Sequence, residues 1–417
     1  MNTVIAKRTI YEIVFILCVI IPYFDNFELT LAIWTAGVLF SIQTSYSLGI
    51  IKQLFYFLAI LGIALSVSLF KEYQLYFVIR DITYLIKPVL GLLIGYQLCK
   101  KINTNIFQLI ARTGYIFAIM HLFFLARSVI LFKVININDL RYFGGFFSDF
   151  EVFALIIVLF HKKFELSISS QKIKWYTLVI TISVFLYLAR TNFIQFGIVL
   201  LALKGLFVVN KKNITILITL ATITIIGYSA ILIINPKRTG PGMEAFLYKI
   251  KIIPEEAFKT KINRSDWKEL NDNYRSYENI MTVRQVTREG FYSIVFGQGL
   301  GSKVDLKEKM QLGDMNLRYI SILHNGYMTV FLKSGLLGVV LLLLSFGIYF
   351  IKEKSSIPIV KQIDLLLLGM GIFMIMSYWV FMGFYFKADN KIILLGMLIC
   401  CREIAMKQQS KLDPNND

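Results

Sequence analysis

The strongest constraint on this chain is a repeated alternation between long apolar runs and short polar connections. Each run is close to the roughly 20 residues that a helix needs to cross the hydrocarbon layer of a membrane. The predicted spans are residues 9–24, 29–47, 53–70, 82–99, 106–132, 146–161, 174–190, 191–209, 213–234, 322–350, 362–386 and 391–406. A soluble core could not bury so much apolar surface, since 57% of the 417 residues are hydrophobic. The pattern predicts an all-α polytopic membrane protein with about 12 transmembrane helices in a single membrane domain, residues 1–417.

The chain is also strongly basic, with a formal net charge of +18. In a soluble protein this charge would indicate nucleic-acid binding. Here many of the lysines and arginines lie in every second short loop, which is the pattern that orients membrane helices with their basic loops inside. We therefore expect cytoplasmic N- and C-termini and no nucleic-acid partner.

One long polar segment, residues 235–321, interrupts the series of spans. The predicted topology places it outside, and we expect it to cap the bundle rather than fold as a domain with its own core. The chain contains no Asp-x-Asp pair, no phosphate-binding loop motif and no cluster of His and Cys residues. We expect neither a metal nor a cofactor.

A histidine marks the boundary between the outer segment and the next span, in the motif His324-Asn325-Gly326-Tyr327. Such a ring at a helix mouth can face a wet cavity and exchange a proton near neutral pH. It can equally be an ordinary interfacial side chain. The motif alone leaves both interpretations open.

Two further features precede this motif in the outer segment. Arg284 and Arg288 are four positions apart, so they share a helix face that suits a phosphate or a diphosphate. A solvated basic face is the alternative. The sequence Gly297-x-Gly299-x-Gly301 allows either close approach of the backbone to a ligand or an ordinary tight turn.

Two arginines lie at predicted outer ends of spans. Arg190 follows one apolar run, and Arg141 precedes another in Arg141-Tyr142-Phe143-Gly144-Gly145. An arginine at the membrane edge can extend its charge toward the headgroups. It can also point into a cavity and bind an anion, because charge near the hydrocarbon usually serves a function.

Taken in chain order, these motifs resemble the O-antigen polymerase and O-antigen ligase superfamily of bacterial envelope glycosyltransferases. The resemblance covers about residues 80–400 and is strongest in His324-Asn325-x-Tyr327 followed by Gly335-x-x-Gly338. It implies metal-independent transfer of a glycan from undecaprenyl diphosphate at the outer face of the bacterial inner (plasma) membrane. Both donor and acceptor would be lipid-linked oligosaccharides, with membrane lipids, a chain-length regulator and a flippase as further partners.

The resemblance also implies roles for individual residues. Arg190 and Arg284 would hold the leaving diphosphate, and His324 would deprotonate or orient the acceptor hydroxyl. The predicted substrate-binding residues are Arg141, Arg288, Asn325, Tyr327, Gly299 and Gly301. Other arginines of the outer segment compete for the phosphate role: Arg238, Arg264, Arg275 and Arg318.

Three functions fit these features to different degrees. A polysaccharide polymerase is favoured, because residues 262–278 interleave aromatic and hydrogen-bonding side chains that suit a growing sugar chain. An O-antigen ligase, which transfers the glycan to the lipid A core, shares the same motifs. A flippase or other transporter would favour two similar halves around a central site, whereas this chain has one large outer loop and no visible repeat.

Overall fold

The computed structural model describes residues 2–102, 104–133, 137–145, 147–240, 243–312, 315–353 and 355–412. About three quarters of the chain is helical, and the one sheet within the described residues has two strands. The prediction of a helical fold is therefore confirmed in its main part. The β-hairpin in the outer segment was not predicted.

Among the described residues, ten α-helices precede the outer segment. They are α1 (Asn2–Ile20), α2 (Phe27–Ser41), α3 (Leu48–Ser68), α4 (Leu75–Lys101), α5 (Ile106–Phe132), α6 (Ile137–Gly144), α7 (Asp149–Leu159), α8 (Ser170–Leu186), α9 (Arg190–Leu203) and α10 (Lys211–Ile234). Polar side chains cap the N-termini of several of these helices. Ser148, for example, accepts a hydrogen bond from the backbone of Glu151 and so caps α7.

The outer segment and the last three helices complete the fold. The elements are α11 (Glu244–Lys251), α12 (Ile253–Phe258), α13 (Trp267–Asp272), α14 (Tyr274–Arg288), α15 (Phe291–Phe296), β1 (Val304–Leu312), β2 (Met315–Ile320), α16 (Gly326–Gly347), α17 (Pro358–Val380) and α18 (Lys391–Leu412). The strands pair antiparallel, with Val304 opposite Ile320. Each predicted span overlaps one helix of the bundle.

Five helices in the described part of the chain are long and apolar enough to cross a membrane. They are Leu48–Ser68, Ile106–Phe132, Lys211–Ile234, Gly326–Phe350 and Pro358–Val380. This is consistent with a membrane protein. Twelve crossings remain a prediction, because several other apolar helices are shorter.

The centre of the bundle is the crossing of α4 and α18. Gly95 and Gly396 allow the close approach, since a Cβ atom at Gly95 would lie 1.9 Å from the Ile393 carbonyl oxygen. The apolar first half of α18 is buried on all sides, as expected for a helix surrounded by others. In contrast, α10 is described throughout and has no buried side chain.

Contacts between loops show which helix ends lie together. Lys387 Nζ lies 2.5 Å from the Asp25 carboxylate, so the α1–α2 and α17–α18 connections meet at one end. At the opposite end, Ser47 Oγ donates to Glu403 Oε1 at 2.5 Å. The α1–α2 and α17–α18 connections are both predicted to be external, and they share one end of the bundle. Which side of a membrane that end faces remains a prediction.

The outer segment packs over the same end. Its apolar side chains, among them Leu270, Tyr277, Met281 and Val304, form a second cluster that also includes Leu332 of α16. The segment is thus anchored on a helix of the bundle by shared apolar contacts. That the segment serves as a cap over the bundle stays a prediction.

Candidate functional site

A cavity of about 580 Å³ lies between the outer segment and the helix ends beneath it. Ionisable side chains from five separate parts of the chain line it: Asp25, Arg141, Arg190, His324 and Lys387. Residues of α12 and α14 line its other side. Three of the predicted site residues, Arg141, Arg190 and His324, therefore lie around one space although they are far apart in the sequence.

A carboxylate from the outer segment bridges two of the cavity arginines. Glu256 Oε2 lies 3.0 Å from Arg190 Nη2, and Glu256 Oε1 lies 3.0 Å from Arg275 Nη1. The Arg190 guanidinium also donates from Nη1 to the carbonyl oxygen of Lys249 at 2.5 Å. Each oxygen of one carboxylate thus has its own guanidinium. We call Arg190 and Arg275 with this geometry the arginine clamp.

The position of Arg190 follows from a sharp junction between α8 and α9. Only three residues separate these helices, and Leu188 turns the chain with a φ of +47°. Tyr187, just before the turn, donates a hydrogen bond to the buried carboxylate of Glu151 at 2.8 Å. The junction is therefore anchored on α7, and α9 begins with Arg190 directed to the cavity.

Arg275 reaches the cavity because of the face of α14 on which it lies. Glu278 and Asn279 lie about one turn further along the helix, and Asn279 also lines the cavity. Arg284 is nine positions after Arg275, which corresponds to half a rotation of an α-helix. It is accordingly exposed on the opposite face.

Positive charge is concentrated around the cavity, as the pKa values of its basic groups indicate. Burial, and then the charges of Arg190 and Arg275, lower the pKa of the Arg141 guanidinium from its ordinary value. Burial, followed by the charges of Arg141 and Arg190, lowers the pKa of Lys249 from 10.5 to about 8. An anion in the cavity would relieve this repulsion.

His324 is held by a buried carboxylate. Its Nδ1 atom lies 3.0 Å from Glu278 Oε1, and its backbone N–H donates to Glu278 Oε2 at 3.0 Å. The Glu278 side chain is 1% exposed, whereas that of His324 is 37% exposed. One edge of the imidazole is therefore fixed to the protein, and the rest of the ring remains accessible.

The cavity also has an apolar wall. Trp379, Phe381 and Phe386 come from the end of α17 and the connection to α18. Phe258 of the outer segment stacks on Trp379, with ring centroids 5.7 Å apart. Lys87 fixes the connection by donating to the carbonyl oxygens of Phe386 and Asp389. A ligand in this cavity would meet both charged groups and aromatic rings.

The predicted glycine site lies elsewhere, in close packing between helices. A Cβ atom at Gly299 would lie 2.7 Å from Ser68 Oγ, and one at Gly301 would lie 2.7 Å from Tyr73 Cβ. Both glycines have positive φ angles, +83° and +84°. The structure thus gives the turn a packing role against α3 and the start of α4, and it does not bring the turn to the cavity.

The other predicted residues also lie outside the cavity lining. Arg284 and Arg288 are exposed on α14. Asn325 caps α16 by accepting a hydrogen bond from the backbone of Met328 at 3.1 Å. Tyr327 is buried and donates to the carbonyl oxygen of Ile375 at 2.9 Å. The structure assigns the last two to helix capping and helix packing.

Sequence reasoning did not single out Glu256, Glu278 or Asn279, and it named Arg275 only as one of several competing arginines. The sequence signal that could have identified Arg275 is helical periodicity. The buried positions Tyr274, Glu278 and Met281 of α14 recur at helical spacing, and Arg275 follows Tyr274 directly. No local pattern places Glu256 beside Arg190, since these residues meet only through folding of the outer segment. In the described residues, no group of three or more His, Cys, Asp and Glu side chains is arranged to hold a metal ion.

Comparison of the chain with protein-family models, with curated proteins and with solved structures finds no match. The functional argument therefore depends on the cavity itself. Its features are a cluster of guanidiniums, a histidine fixed by a carboxylate and an aromatic wall at one end of a bundle of apolar helices.

Proposed function

We propose that this chain is a metal-independent glycosyltransferase of the bacterial inner membrane that uses an undecaprenyl-diphosphate-linked glycan as its donor. The particular reaction proposed is polymerisation, in which the glycan passes to a sugar hydroxyl on another lipid-linked repeat unit. The observation that supports this most directly is the arginine clamp, with His324 on the same cavity. The resemblance in motif order agrees with it.

The clamp already accommodates an oxyanion. The Glu256 carboxylate places one oxygen against each of Arg190 and Arg275, which is the arrangement that a phosphate with two free oxygens would adopt. In the proposed reaction the donor diphosphate displaces this carboxylate. Arg141 and Lys249 lie close enough to add attraction, because their pKa values respond to the charge of Arg190.

The chemistry requires stabilisation of the leaving group. When the bond between the anomeric carbon and the diphosphate oxygen breaks, its electron pair remains on the diphosphate. Fixed guanidiniums stabilise this developing charge, and they are most effective in a site from which water is partly excluded. The half-buried Arg190 and Arg275, with side chains 22% and 26% exposed, meet that condition.

The acceptor hydroxyl requires a base. His324 lies on the same cavity as the clamp, and imidazole is well suited to accept a proton from a hydroxyl near neutral pH. The oxygen of the acceptor then bonds to the anomeric carbon as the diphosphate leaves. The proton passes from the imidazole to solvent or to the departing diphosphate.

The position of the cavity favours an enzyme over a transporter. Its lining comes from helix ends and from the outer segment, at one end of the bundle, whereas substrate sites of transporters lie near the middle of the membrane. The aromatic wall of Trp379, Phe381 and Phe386 suits the CH faces of sugars or the first isoprene units of a carrier lipid. Ligation to the lipid A core remains the nearest alternative.

Deletion of the gene, followed by analysis of surface glycans, tests the proposal. Loss of a polymerase leaves single repeat units on their final acceptor. Full-length polymer accumulating on the carrier lipid would instead identify a ligase. Restoration by the wild-type chain but not by Arg190→Ala or Arg275→Ala would connect the phenotype to the clamp, and unchanged glycans in the deletion strain would reject both enzymes.

A further inference from the structure

The partner of His324 suggests a role beyond holding the loop in place. Glu278 contacts both the imidazole Nδ1 and the backbone N–H of His324, each at 3.0 Å. The carboxylate is almost completely buried, and it belongs to the same helix as Arg275. Burial of a carboxylate is costly unless hydrogen-bond donors satisfy it. A buried glutamate at this position therefore suggests a functional role for its contact with His324.

Hydrogen bonding to Glu278 selects one form of the ring. An ionised carboxylate only accepts hydrogen bonds, so the Nδ1 atom beside it carries the proton. In the neutral imidazole the Nε2 atom then holds the lone pair, and the exposed part of the ring borders the cavity. In free imidazole side chains the other tautomer, with the proton on Nε2, is the more common one.

Several cations line the cavity around His324. Arg141, Arg190, Arg275 and Lys387 all line the same space as His324, and Glu256 and Asp25 offset only part of their charge. The ring of Tyr274 also meets the imidazole edge-on, with centroids 5.7 Å apart. A carboxylate 3.0 Å from Nδ1 would stabilise a positive charge that develops on the ring during transfer.

We propose that Glu278 is a positioning residue that fixes His324 in its Nδ1–H tautomer and stabilises the imidazolium formed during glycosyl transfer. This inference rests on the proposed function for its chemical consequence. In the step, the acceptor O–H bond breaks and its proton passes to Nε2. The acceptor oxygen bonds to the anomeric carbon, and the diphosphate leaves with the electron pair of the broken C–O bond. The proton is later released from Nε2.

The tautomer can be measured without any glycan substrate. The chain contains three histidines, His121, His161 and His324, so ¹⁵N spectra of histidine-labelled protein in detergent are simple, and His324→Gln identifies the relevant signals. We expect His324 of the wild-type protein to show the Nδ1–H pattern at pH values where the ring is neutral. We expect Glu278→Ala to shift it toward the Nε2–H form. A wild-type ring protonated on Nε2 would overturn the proposal.

Activity separates positioning from a purely structural role. Glu278→Gln keeps the size and an acceptor oxygen but removes the charge, and we expect kcat to fall by about 10²-fold with the KM for the donor unchanged. Asp272→Asn is the matched control, because Asp272 is a carboxylate of the same segment that contacts Arg238 at 3.3 Å and Tyr248 at 2.7 Å. We expect it to retain activity.

Two outcomes would count against the inference, and they are distinct. Equal losses of kcat and of thermal stability in Glu278→Gln and Asp272→Asn would assign Glu278 a structural role only. If instead His324→Gln is fully active while the wild-type ring shows the Nδ1–H form, the base assigned under the proposed function is wrong. The tautomer selected by Glu278 would then stand without a role in transfer.

Discussion

Two clusters of charged side chains in this molecule differ in what surrounds them. Around the cavity, Arg190 and Arg275 share the carboxylate of Glu256 and remain partly accessible, and Arg141 lines the same space. Beneath the glycine turn, Lys333 of α16 pairs with Asp81 of α4 at 2.6 Å, and both side chains are 0% exposed. One cluster has an excess of cations next to open space, and the other is paired and closed.

The closed pair of Lys333 and Asp81 has further hydrogen-bond partners. Lys333 Nζ also donates to the carbonyl oxygen of Ser302 at 2.6 Å, and Asp81 Oδ2 accepts from the backbone of Gly301 at 2.7 Å. Such a pair holds α4, α16 and the turn together, and it is shielded from solvent. A cluster in which cations exceed anions beside a cavity is the kind that a ligand completes. The difference separates a structural ion pair from a binding site.

The largest expected effect comes from breaking the closed pair. Asp81→Asn or Lys333→Met leaves one buried charge without its partner, and we expect the free energy of unfolding to fall by about 3–5 kcal/mol. Thermal unfolding of the purified protein in detergent measures this. The double variant Asp81→Leu/Lys333→Met should recover part of the loss, since an apolar pair avoids the desolvation cost. Single variants as stable as the wild type would contradict the structural role.

Breaking the arginine clamp should have the opposite profile, with a large effect on binding and a small one on stability. We expect Arg190→Ala and Arg275→Ala each to weaken binding of inorganic pyrophosphate by about 10–100-fold, which is the range for a lost hydrogen bond to a charged group. Replacement of either arginine by lysine should retain little of the affinity, because an ammonium group lacks the planar pair of N–H donors of a guanidinium. Calorimetric titration measures the affinity.

Arg284→Ala is the matched control for the clamp variants, because Arg284 lies on the opposite, exposed face of the same helix. We expect less than about a twofold change in pyrophosphate affinity, as its contact with a ligand would depend only on screened, long-range attraction. A larger loss in Arg284→Ala than in Arg275→Ala would return the diphosphate to the site predicted from the sequence.

Removing the internal anion should strengthen binding. Glu256→Gln leaves Arg190 and Arg275 without a competing negative charge, and we expect pyrophosphate affinity to rise by about 3–10-fold from the altered charge balance. Asp272→Asn serves as the control, since Asp272 contacts Arg238 instead of the clamp. A weaker affinity in Glu256→Gln would mean that Glu256 orients the arginines and does not compete with the ligand.

The smallest expected effect is a dependence on pH. Burial and the neighbouring arginines lower the pKa of Lys249 from 10.5 to about 8. Raising the pH from 7 to 9 therefore removes most of one positive charge, and pyrophosphate affinity should fall by about 2–5-fold. Lys249→Met is the control, because the ionisation of pyrophosphate itself changes equally in both proteins. Parallel curves for the two proteins would exclude Lys249 from the site.

The lowered pKa of Lys249 also affects stability, and here the effect increases with pH. The pKa of Lys249 is lower in the folded protein than its ordinary value of 10.5, so between about pH 8 and 10.5 the unfolded chain binds more protons. The contribution of this group to the free energy of unfolding therefore increases with pH in that window. Comparison of wild type and Lys249→Met by thermal unfolding isolates it.

Sequence patterns predicted the parts of the site that depend on the membrane. Arg141, Arg190 and His324 stand where apolar runs begin or end, and the alternation of basic loops places all three at one end of the bundle. This information is local, because hydrophobicity and loop charge are read within about 20 residues. It was sufficient to predict that these side chains share a surface.

The glycine turn shows where the same reasoning failed to separate two possibilities. The positive φ angles at Gly299 and Gly301 were foreseeable from the residue type. Whether the space beside them holds a ligand or another helix depends on Ser68 and Tyr73, which are over 200 positions away. A glycine pattern indicates that another group packs closely against the backbone. Only the tertiary structure shows whether that group is a ligand or another helix.

The sequence by itself determined that the chain is helical, that it is suited to a membrane and that three basic groups lie at one end of its helices. Only the tertiary structure decided that Arg275 rather than Arg284 joins them, and that Glu256 and Glu278 are their partners. The physical reason is the outer segment. Its helices are too short for the pattern of membrane spans to predict their directions, so the directions of their side chains follow from long-range packing against α16 and the helix ends.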